Sequence, residues 1–398
     1  MRILHVIPSL SPKQGGPSFA LPLIARSLVA SGVSVDVATT DDDGLGHRIE
    51  SLKDSWVERD GYRLRYFPKQ TEFYKCSWPF RKWMKGHIRD YDLVHVHAVF
   101  SFTSNCASRQ ARRRKVPYII RPLGVLNRWG MENRRRWIKS LSFRLIEEPL
   151  LRDAAAIHYT SHAEQREAEQ TGVQARSAMI PLGIDIDQFA KLPSPELFYV
   201  RCPQAAGREV VLFLSRIDPK KGLDLLLPAF AQVKQEHPQA LLVIAGNGEA
   251  GYVESLQKEA DRLGLRDDVL WPGFLGGIDK LSAFAAATVY VLPSHSENFG
   301  IALVEALAAG LPCVTTTGVA ASEELAEHGA GIVVAAESSA IARALVQLLH
   351  DEARRLSVAT NAQRFARERF SMLAMGTGLK RLYSELLQAK QLETANNS

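Results

Sequence analysis

Ile3–Leu4–His5–Val6–Ile7, the loop from Pro8 to Pro17, the segment Phe19 to Ala30, and Val33–Ser34–Val35–Asp36–Val37 together decide the fold class. The first run is apolar apart from one histidine, as expected of a strand covered on both faces. The loop is rich in Gly, Pro and Ser. Leu21, Ile24, Ala25, Leu28 and Val29 then recur at helical spacing, which predicts a helix. Pro22 falls in the first turn of that helix, where a missing N–H is tolerated. Gly32 supplies a stop, and Val33–Val37 is the next strand. Strand, loop, helix, strand is the βαβ unit of a parallel sheet.

The pattern continues outward. Leu93–His97, Tyr118–Ile120 and Ala154–Tyr159 read as further strands. It then restarts: Val210–Leu214, Ala240–Ala245, Val269–Trp271, Val289–Leu292 and Cys313–Thr316 are strand-like, with helical spacing between them, as over Asp224 to Lys234. Pro and Gly interrupt any regular element from Pro181–Leu182–Gly183 to Pro193–Ser194–Pro195. The expectation is an α/β chain of two doubly wound, Rossmann-like domains facing across a cleft, over residues 1–188 and 189–398. The last helix is expected to pack back on the first domain, and the polar tail from Glu393 to Ser398 to fray.

Composition narrows the function classes. The 398 residues are 46% hydrophobic and 23% charged, with a net charge of +6, an ordinary globular profile. Two domains suit this length. No stretch is long and apolar enough to read as a membrane span. Met1–Ile7, broken by Pro8, is too short for a secretory segment. Cys76, Cys106, Cys202 and Cys313 are scattered and form neither a disulfide framework nor a metal pair, so a cytoplasmic setting is expected. Residues 1–200 carry 30 Lys and Arg against 21 Asp and Glu, whereas residues 201–398 carry 19 against 22. The basic half suits an anionic partner: a phosphorylated substrate, a lipid surface or nucleic acid.

In doubly wound folds, ligands sit beyond the carboxyl ends of the strands. Four segments fall there. Gly15–Gly16–Pro17 precedes the first helix, where backbone can approach an anion. It is not GxGxxG, so no dinucleotide cofactor is expected. Ser215–Arg216–Ile217–Asp218–Pro219–Lys220–Lys221–Gly222 follows a strand, and Arg216 and Lys221 can hold phosphate oxygens. Gly246–Asn247–Gly248–Glu249 follows another. The fourth runs from Pro293 to Pro312 and places Glu297 in a loop and Glu305 about a turn into a helix that begins near Gly300. Two carboxylates then face one ligand, while the first amides of the helix are free for its phosphates. Asp41–Asp42–Asp43 reads as a solvated loop. His95 and His97 share a strand face but lack further ligands by spacing, so no metal site is expected.

Glu297-x7-Glu305 within SENFGIALVEALAAGLP resembles the signature of the retaining nucleotide-sugar glycosyltransferases of family 4, which have the GT-B fold. The Gly15–Gly16 loop, Arg216, Lys221 and the Gly246 turn fall in that family's order. Asp92–His97 and Pro181–Asp185 also resemble its segments. The resemblance implies that Arg216 and Lys221 neutralise the leaving diphosphate, with the amides of Ile301 and Ala302. It implies that Glu305 binds the ribose, and that Glu297, with the amides of Asn298, Phe299 and Gly300, holds the donor sugar. Gly16 would approach the diphosphate from the first domain. No cofactor or metal is implied, since the nucleotide sugar is itself a substrate. Where the family often has His before Gly, this chain has Leu123 before Gly124. His97 and Arg121 are the acceptor-side candidates.

The implied reaction is transfer of a sugar to a glycan or lipid-linked acceptor in polysaccharide or glycoconjugate synthesis. A nucleotide-sugar epimerase on the same fold and a nucleic-acid-binding protein using the basic half are the alternatives, the latter without any helix-turn-helix, RNP or zinc pattern. Phe73–Tyr74–Lys75, Trp78–Trp83, Arg112–Lys115 and Arg134–Arg136 interleave aromatics with cations, which suits peripheral binding to an anionic membrane through Trp78, Phe80 or Trp83.

Overall fold

The computed structural model describes residues 1–14, 16–50, 55–126, 142–297 and 299–396. Gly15, Asn298 and the Arg134–Arg136 run lie outside the described residues. The chain divides into two compact units. One is Met1–Gly183 with Met372–Ser398, and the other is Ile184–Ser371. The division thus falls between Gly183 and Ile184, inside the Pro/Gly-rich junction, and the helix Met372–Asn396 belongs to the first unit.

The first unit holds β1 (Arg2–Ser9), β2 (Ser34–Thr40), β3 (Val57–Arg59), β4 (Tyr62–Phe67), β5 (Leu93–His97), β6 (Tyr118–Arg121), β7 (Ala156–Tyr159) and β8 (Ser177–Met179). They form one sheet in the order β3-β4-β2-β1-β5-β6-β7-β8, parallel except at the β3–β4 edge. The first helix is Gly16–Ala30, three residues longer at its start than its spacing predicts. Pro22 therefore lies inside it, and the carbonyl of Ser18 loses its helical donor.

Strand alternation gives this sheet two different faces. Leu4, Val6, Val94, Val96, Tyr118, Ile120, Ile157 and Tyr159 face one apolar core with Phe80 and Met84 of the helix Trp78–His87 and Ala107 and Ala111 of the helix Phe102–Arg113. The intervening residues are His5, His95, His97, Arg121 and His158. His5 pairs with His95 across β1 and β5, and His97 with Arg121 across β5 and β6. All five are buried. The helix Met372–Asn396 brings Tyr383 onto this face, where its hydroxyl lies 2.8 Å from His95 Nδ1.

The second unit holds β9 (Glu209–Leu214), β10 (Ala240–Ala245), β11 (Val269–Gly273), β12 (Val289–Leu292), β13 (Cys313–Thr316) and β14 (Ile332–Val334). Their order is β11-β10-β9-β12-β13-β14, and every pair is parallel. This is the Rossmann order, and it reverses between β9 and β12. Val210–Phe213 and Leu241–Ala245 are wholly buried, so this sheet is apolar on both faces.

Two surface expectations are corrected. Asp41 and Asp42 are buried rather than solvated, because Asp42 accepts from both Lys69 and Lys75, and Lys69 is itself only 1% exposed. Phe80 is buried, and Trp83 packs edge-on or tilted against Trp56, Phe67 and Tyr91. Of the three aromatics expected at a membrane, Trp78 alone faces outward, at 50% exposure.

Candidate active site

The reversal of strand order separates the loops after β9 and β12, and this is where the charged motifs meet. The chain leaves β9 through Ser215 and Arg216 and makes a short turn over Pro219–Lys221. Asp218 caps that turn by accepting from the Lys220 amide. Gly222 follows with φ +73°, and a Cβ there would lie 1.9 Å from the Pro293 carbonyl oxygen. Only glycine lets the β9 loop come this close to the backbone after β12. The His295 amide donates to the Lys220 carbonyl at 2.8 Å and ties the two loops together.

The β10 loop joins from the other side. Gly246 has φ +152°, and its missing Cβ would meet the Ser215 carbonyl oxygen at 1.8 Å. The Ile217 amide donates to the Asn247 carbonyl at 2.8 Å. Arg216, Asp218, Asn247, Gly248 and Tyr252 border a cavity of about 690 Å³. Arg216 is exposed and has no carboxylate partner among the described residues.

Lys221 and Glu297 form an ion pair, with side chains only 11% and 17% exposed. Burial lowers the Lys221 ammonium to about 8, and the charge of Arg216 pushes the same way. The Glu297 carboxylate against it favours the charged form. The Glu297 backbone is fixed by donating to Gly318 at 2.9 Å and accepting from Ala320 at 2.9 Å. Gly300, at φ +76°, then opens the helix Ile301–Ala308. The amides of Ile301 and Ala302 in its first turn have no carbonyl within the helix to donate to and carry its positive dipole end. Glu305, one turn in, accepts from Lys280 Nζ at 2.7 Å.

The structure thus brings together Arg216, Lys221, Glu297, Gly246, Gly300, Ile301, Ala302 and Glu305 in the second unit. Phe299 is buried against Phe370, with ring centroids 5.6 Å apart, so only its backbone is available to a ligand. Gly16, His97 and Arg121 belong to the first unit. Gly16 is exposed at its helix start, whereas His97 and Arg121 are buried. Lys280, Tyr252 and Gly318 escape the sequence reading. They come from separate elements, and only folding aligns them.

The histidine face is ordered by hydrogen bonds. His158 Nε2 donates to the Ile180 carbonyl at 2.8 Å, so its Nδ1 accepts from His95 Nε2 at 3.3 Å. His95 Nδ1 then accepts from Tyr383. Burial, then the neighbouring rings and Arg121, keep these imidazoles neutral. His5 and His158 are lowered to about 3, and His95 and His97 well below their usual value. Ligand atoms of His5, His95 and His97 lie within 4.8 Å of one another, the one such group among the described residues. The guanidinium paired with His97 across the sheet makes this a poor site for a cation.

A second cavity, of about 490 Å³, lies in the first unit between the helices Trp78–His87 and Phe102–Arg113. Arg81, Lys82, Lys85, Arg113 and Arg114 border it, and none has a carboxylate within ion-pair distance among the described residues. Trp78 stands at its edge, 5.7 Å beneath Arg81 and edge-on to Phe102.

Both units resemble known proteins. Residues 15–183 match the family "Glycosyl transferase 4-like domain", and residues 203–365 match "Glycosyl transferases group 1". D-inositol 3-phosphate glycosyltransferase of Corynebacterium urealyticum is 26% identical over 97% of this chain and 96% of its own length. A GDP-mannose-dependent alpha-(1-6)-phosphatidylinositol monomannoside mannosyltransferase of Mycolicibacterium smegmatis is 29% identical over 60% of this chain. That match spans 64% of the relative's length, and matches to its Mycobacterium tuberculosis counterparts span 53%. Anabaena HepE in complex with UDP-glucose superposes with a TM-score of 0.72 at 25% identity, over 96% of this chain and all of the other. These relatives favour transfer over epimerisation. With both units matched in order and the Rossmann switch point carrying the motif, the chain belongs to the family 4-type glycosyltransferases of the GT-B fold.

Proposed function

We propose that the protein is a retaining, metal-independent glycosyltransferase that moves a sugar from a nucleoside-diphosphate donor to a glycan or lipid-linked acceptor. The observation that carries this reading is the Lys221–Glu297 pair beside Arg216 and the free amides of the helix Ile301–Ala308. When donor binds, Lys221 exchanges Glu297 for phosphate oxygens, and Glu297 turns to the sugar hydroxyls with the amides of Phe299 and Gly300. Asn298 and Gly16 are assigned to the same donor. Glu305 exchanges Lys280 for the ribose hydroxyls, and the cavity beside Asn247 and Tyr252 takes the nucleoside.

In the chemical step, the bond from the anomeric carbon to the phosphate oxygen breaks, and the electron pair leaves with the diphosphate. Arg216, Lys221 and the amides of Ile301 and Ala302 are preorganised for that charge and have no need of a metal to receive it. The acceptor hydroxyl attacks from the same face, and its proton goes to the departing phosphate oxygen. The protein's contribution is orientation and charge stabilisation.

The acceptor is assigned to the first unit. Support for a membrane-borne acceptor is the basic groove with Trp78 at its edge. The four cysteines are free, as suits a reducing cytoplasm, and no helix among the described residues is long and apolar enough to cross a membrane. The relatives' names give GDP-mannose as one donor, and HepE holds UDP-glucose. Incubation with labelled nucleotide sugars, with and without lipid extract, tests the reading. Transfer to acceptor with the donor's anomeric configuration kept, unaffected by EDTA, is expected. An altered free nucleotide sugar, an inverted product or loss of activity on chelation overturns the corresponding part.

A further inference from the structure

Arg121 ends β6 on the histidine face, opposite His97. It is 5% exposed, yet its guanidinium makes no ion pair or hydrogen bond with any described residue, and its Nε is buried without a partner. Glu164 is the carboxylate whose charge reaches it, but that carboxylate is taken by the Gly124 amide and by the amide and hydroxyl of Thr160. Burial lowers Arg121 to about 10, which leaves it charged at neutral pH. A buried charge with no counter-charge is costly, and native structures pair it or keep it for a ligand.

The neighbouring imidazoles do not satisfy it either. His5 Nδ1 and His97 Nε2 are 2.9 Å apart and share one proton. His5 Nε2 and His97 Nδ1 are both buried without partners among the described residues. Whichever ring donates, the pair presents one N–H with no acceptor. His95 and His158 are saturated by the chain from Tyr383 to Ile180. Two N–H donors, one of them on a cation, are therefore left over on the same face. The loops beyond both strands are strained: Ala98, Phe100 and Leu123 hold φ of +82°, +56° and +61°. Left-handed backbone at bulky residues persists where the surroundings enforce it, and it concentrates at ligand sites.

We propose that Arg121, with the free imidazole N–H of the His5–His97 pair, forms an oxyanion site that takes a phosphate or carboxylate group of the acceptor. Assignment to the acceptor rests on the transferase reading; the oxyanion site does not. The guanidinium fork suits two oxygens of one group, and the imidazole adds a neutral donor.

The test uses the full chain and two probes, inorganic phosphate and acetate, at fixed ionic strength. Thermal unfolding and calorimetry are read for the wild type, Arg121→Met, Arg121→Lys and Arg216→Ala. The expected result is a saturable rise in the midpoint with at least one anion, a component of which is kept in Arg216→Ala, at least tenfold weaker in Arg121→Lys and lost in Arg121→Met; any rise left in Arg121→Met belongs to the donor-phosphate site of the second unit. Without anion, Arg121→Met should be no less stable than the wild type, because it removes an unpaired charge. Which probe acts identifies the anionic group. A wild type indifferent to both anions, or a midpoint rise as large in Arg121→Met as in the wild type with both anions, overturns the site. No transfer assay enters, so an inactive protein could still show the site and an active transferase could lack it.

Discussion

The two sheets follow one parallel plan and are filled in opposite ways. In the second unit, β9, β10 and β12 are apolar on both faces, and the polar chemistry sits in the loops and helices beyond them. In the first unit, β1, β5, β6 and β7 bury His5, His95, His97, Arg121 and His158 inside the sheet layer. Hydrophobic burial stabilises the first arrangement whatever the pH, whereas the second depends on every imidazole staying neutral. The same architecture can thus serve as an inert frame or as a polar interior that responds to protons and anions.

The largest expected difference between the sheets is in acid. A buried histidine whose folded pKa is lowered leaves stability intact above its unfolded value near 6.5. That stability is lost as pH falls toward the folded value. At pH 5 His5 and His158, lowered to about 3, each cost about 2 kcal/mol, and His95 and His97 act in the same direction. Hydrogen exchange at pH 5 against pH 7.5 should show β1, β5 and β7 losing protection while β9, β10 and β12 keep theirs. Equal loss in both units would remove the contrast.

In the apolar sheet, Phe213→Ala should cost about 3–5 kcal/mol of unfolding free energy by denaturant titration, since the ring is wholly buried. A loss below 1 kcal/mol would mean that this sheet tolerates voids and is not the rigid frame described.

Arg216→Ala should leave the fold intact and raise the barrier by about 2.7–4 kcal/mol, read in kcat under saturating donor. Unchanged turnover would move the charge stabilisation elsewhere in the β9 loop.

Tyr383→Phe removes the hydroxyl that His95 accepts from and leaves a buried lone pair, at a cost of about 1–3 kcal/mol. Calorimetric unfolding reads this, and a neutral result would indicate that water replaces the hydroxyl.

The smallest effect concerns the surface. Lys82→Ala should weaken binding to anionic vesicles by about 1 kcal/mol and reduce its salt dependence, as flotation over a salt series would show. No binding at low salt would leave the groove without a membrane role.

The sequence exposed the apolar sheet far better than the polar one. Leu241–Ala245 is an unbroken apolar run because parallel strands are covered on both faces, and such runs have few other readings. β3 and β4 escape because Tyr62–Phe67 is interrupted by two arginines: Arg63 reaches Asp36 at 2.6 Å, and Arg65 lies over Phe67. The Glu297-x7-Glu305 pattern is readable because a loop and one helical turn contain it. Lys280 is not, since its pairing with Glu305 joins two helices that only the tertiary fold brings together. The histidines of β5 were visible as a shared face, but their partners lie on β1, β7 and the last helix, beyond the reach of local spacing.

The return of the helix Met372–Asn396 to the first unit has a consequence for how the protein is made. Tyr383, which closes the histidine chain, is synthesised after the whole of the second unit. At ribosomal rates of roughly 5–20 residues per second, the nascent first unit waits on the order of tens of seconds without that hydroxyl. The second unit, contiguous from Ile184 to Ser371, can complete itself during that wait. The order of birth is therefore the reverse of the order of completion: the unit that starts first finishes last. A release factor acting early, or a stop codon ahead of Met372, would free a chain whose second unit is whole and whose first unit still lacks its last helix.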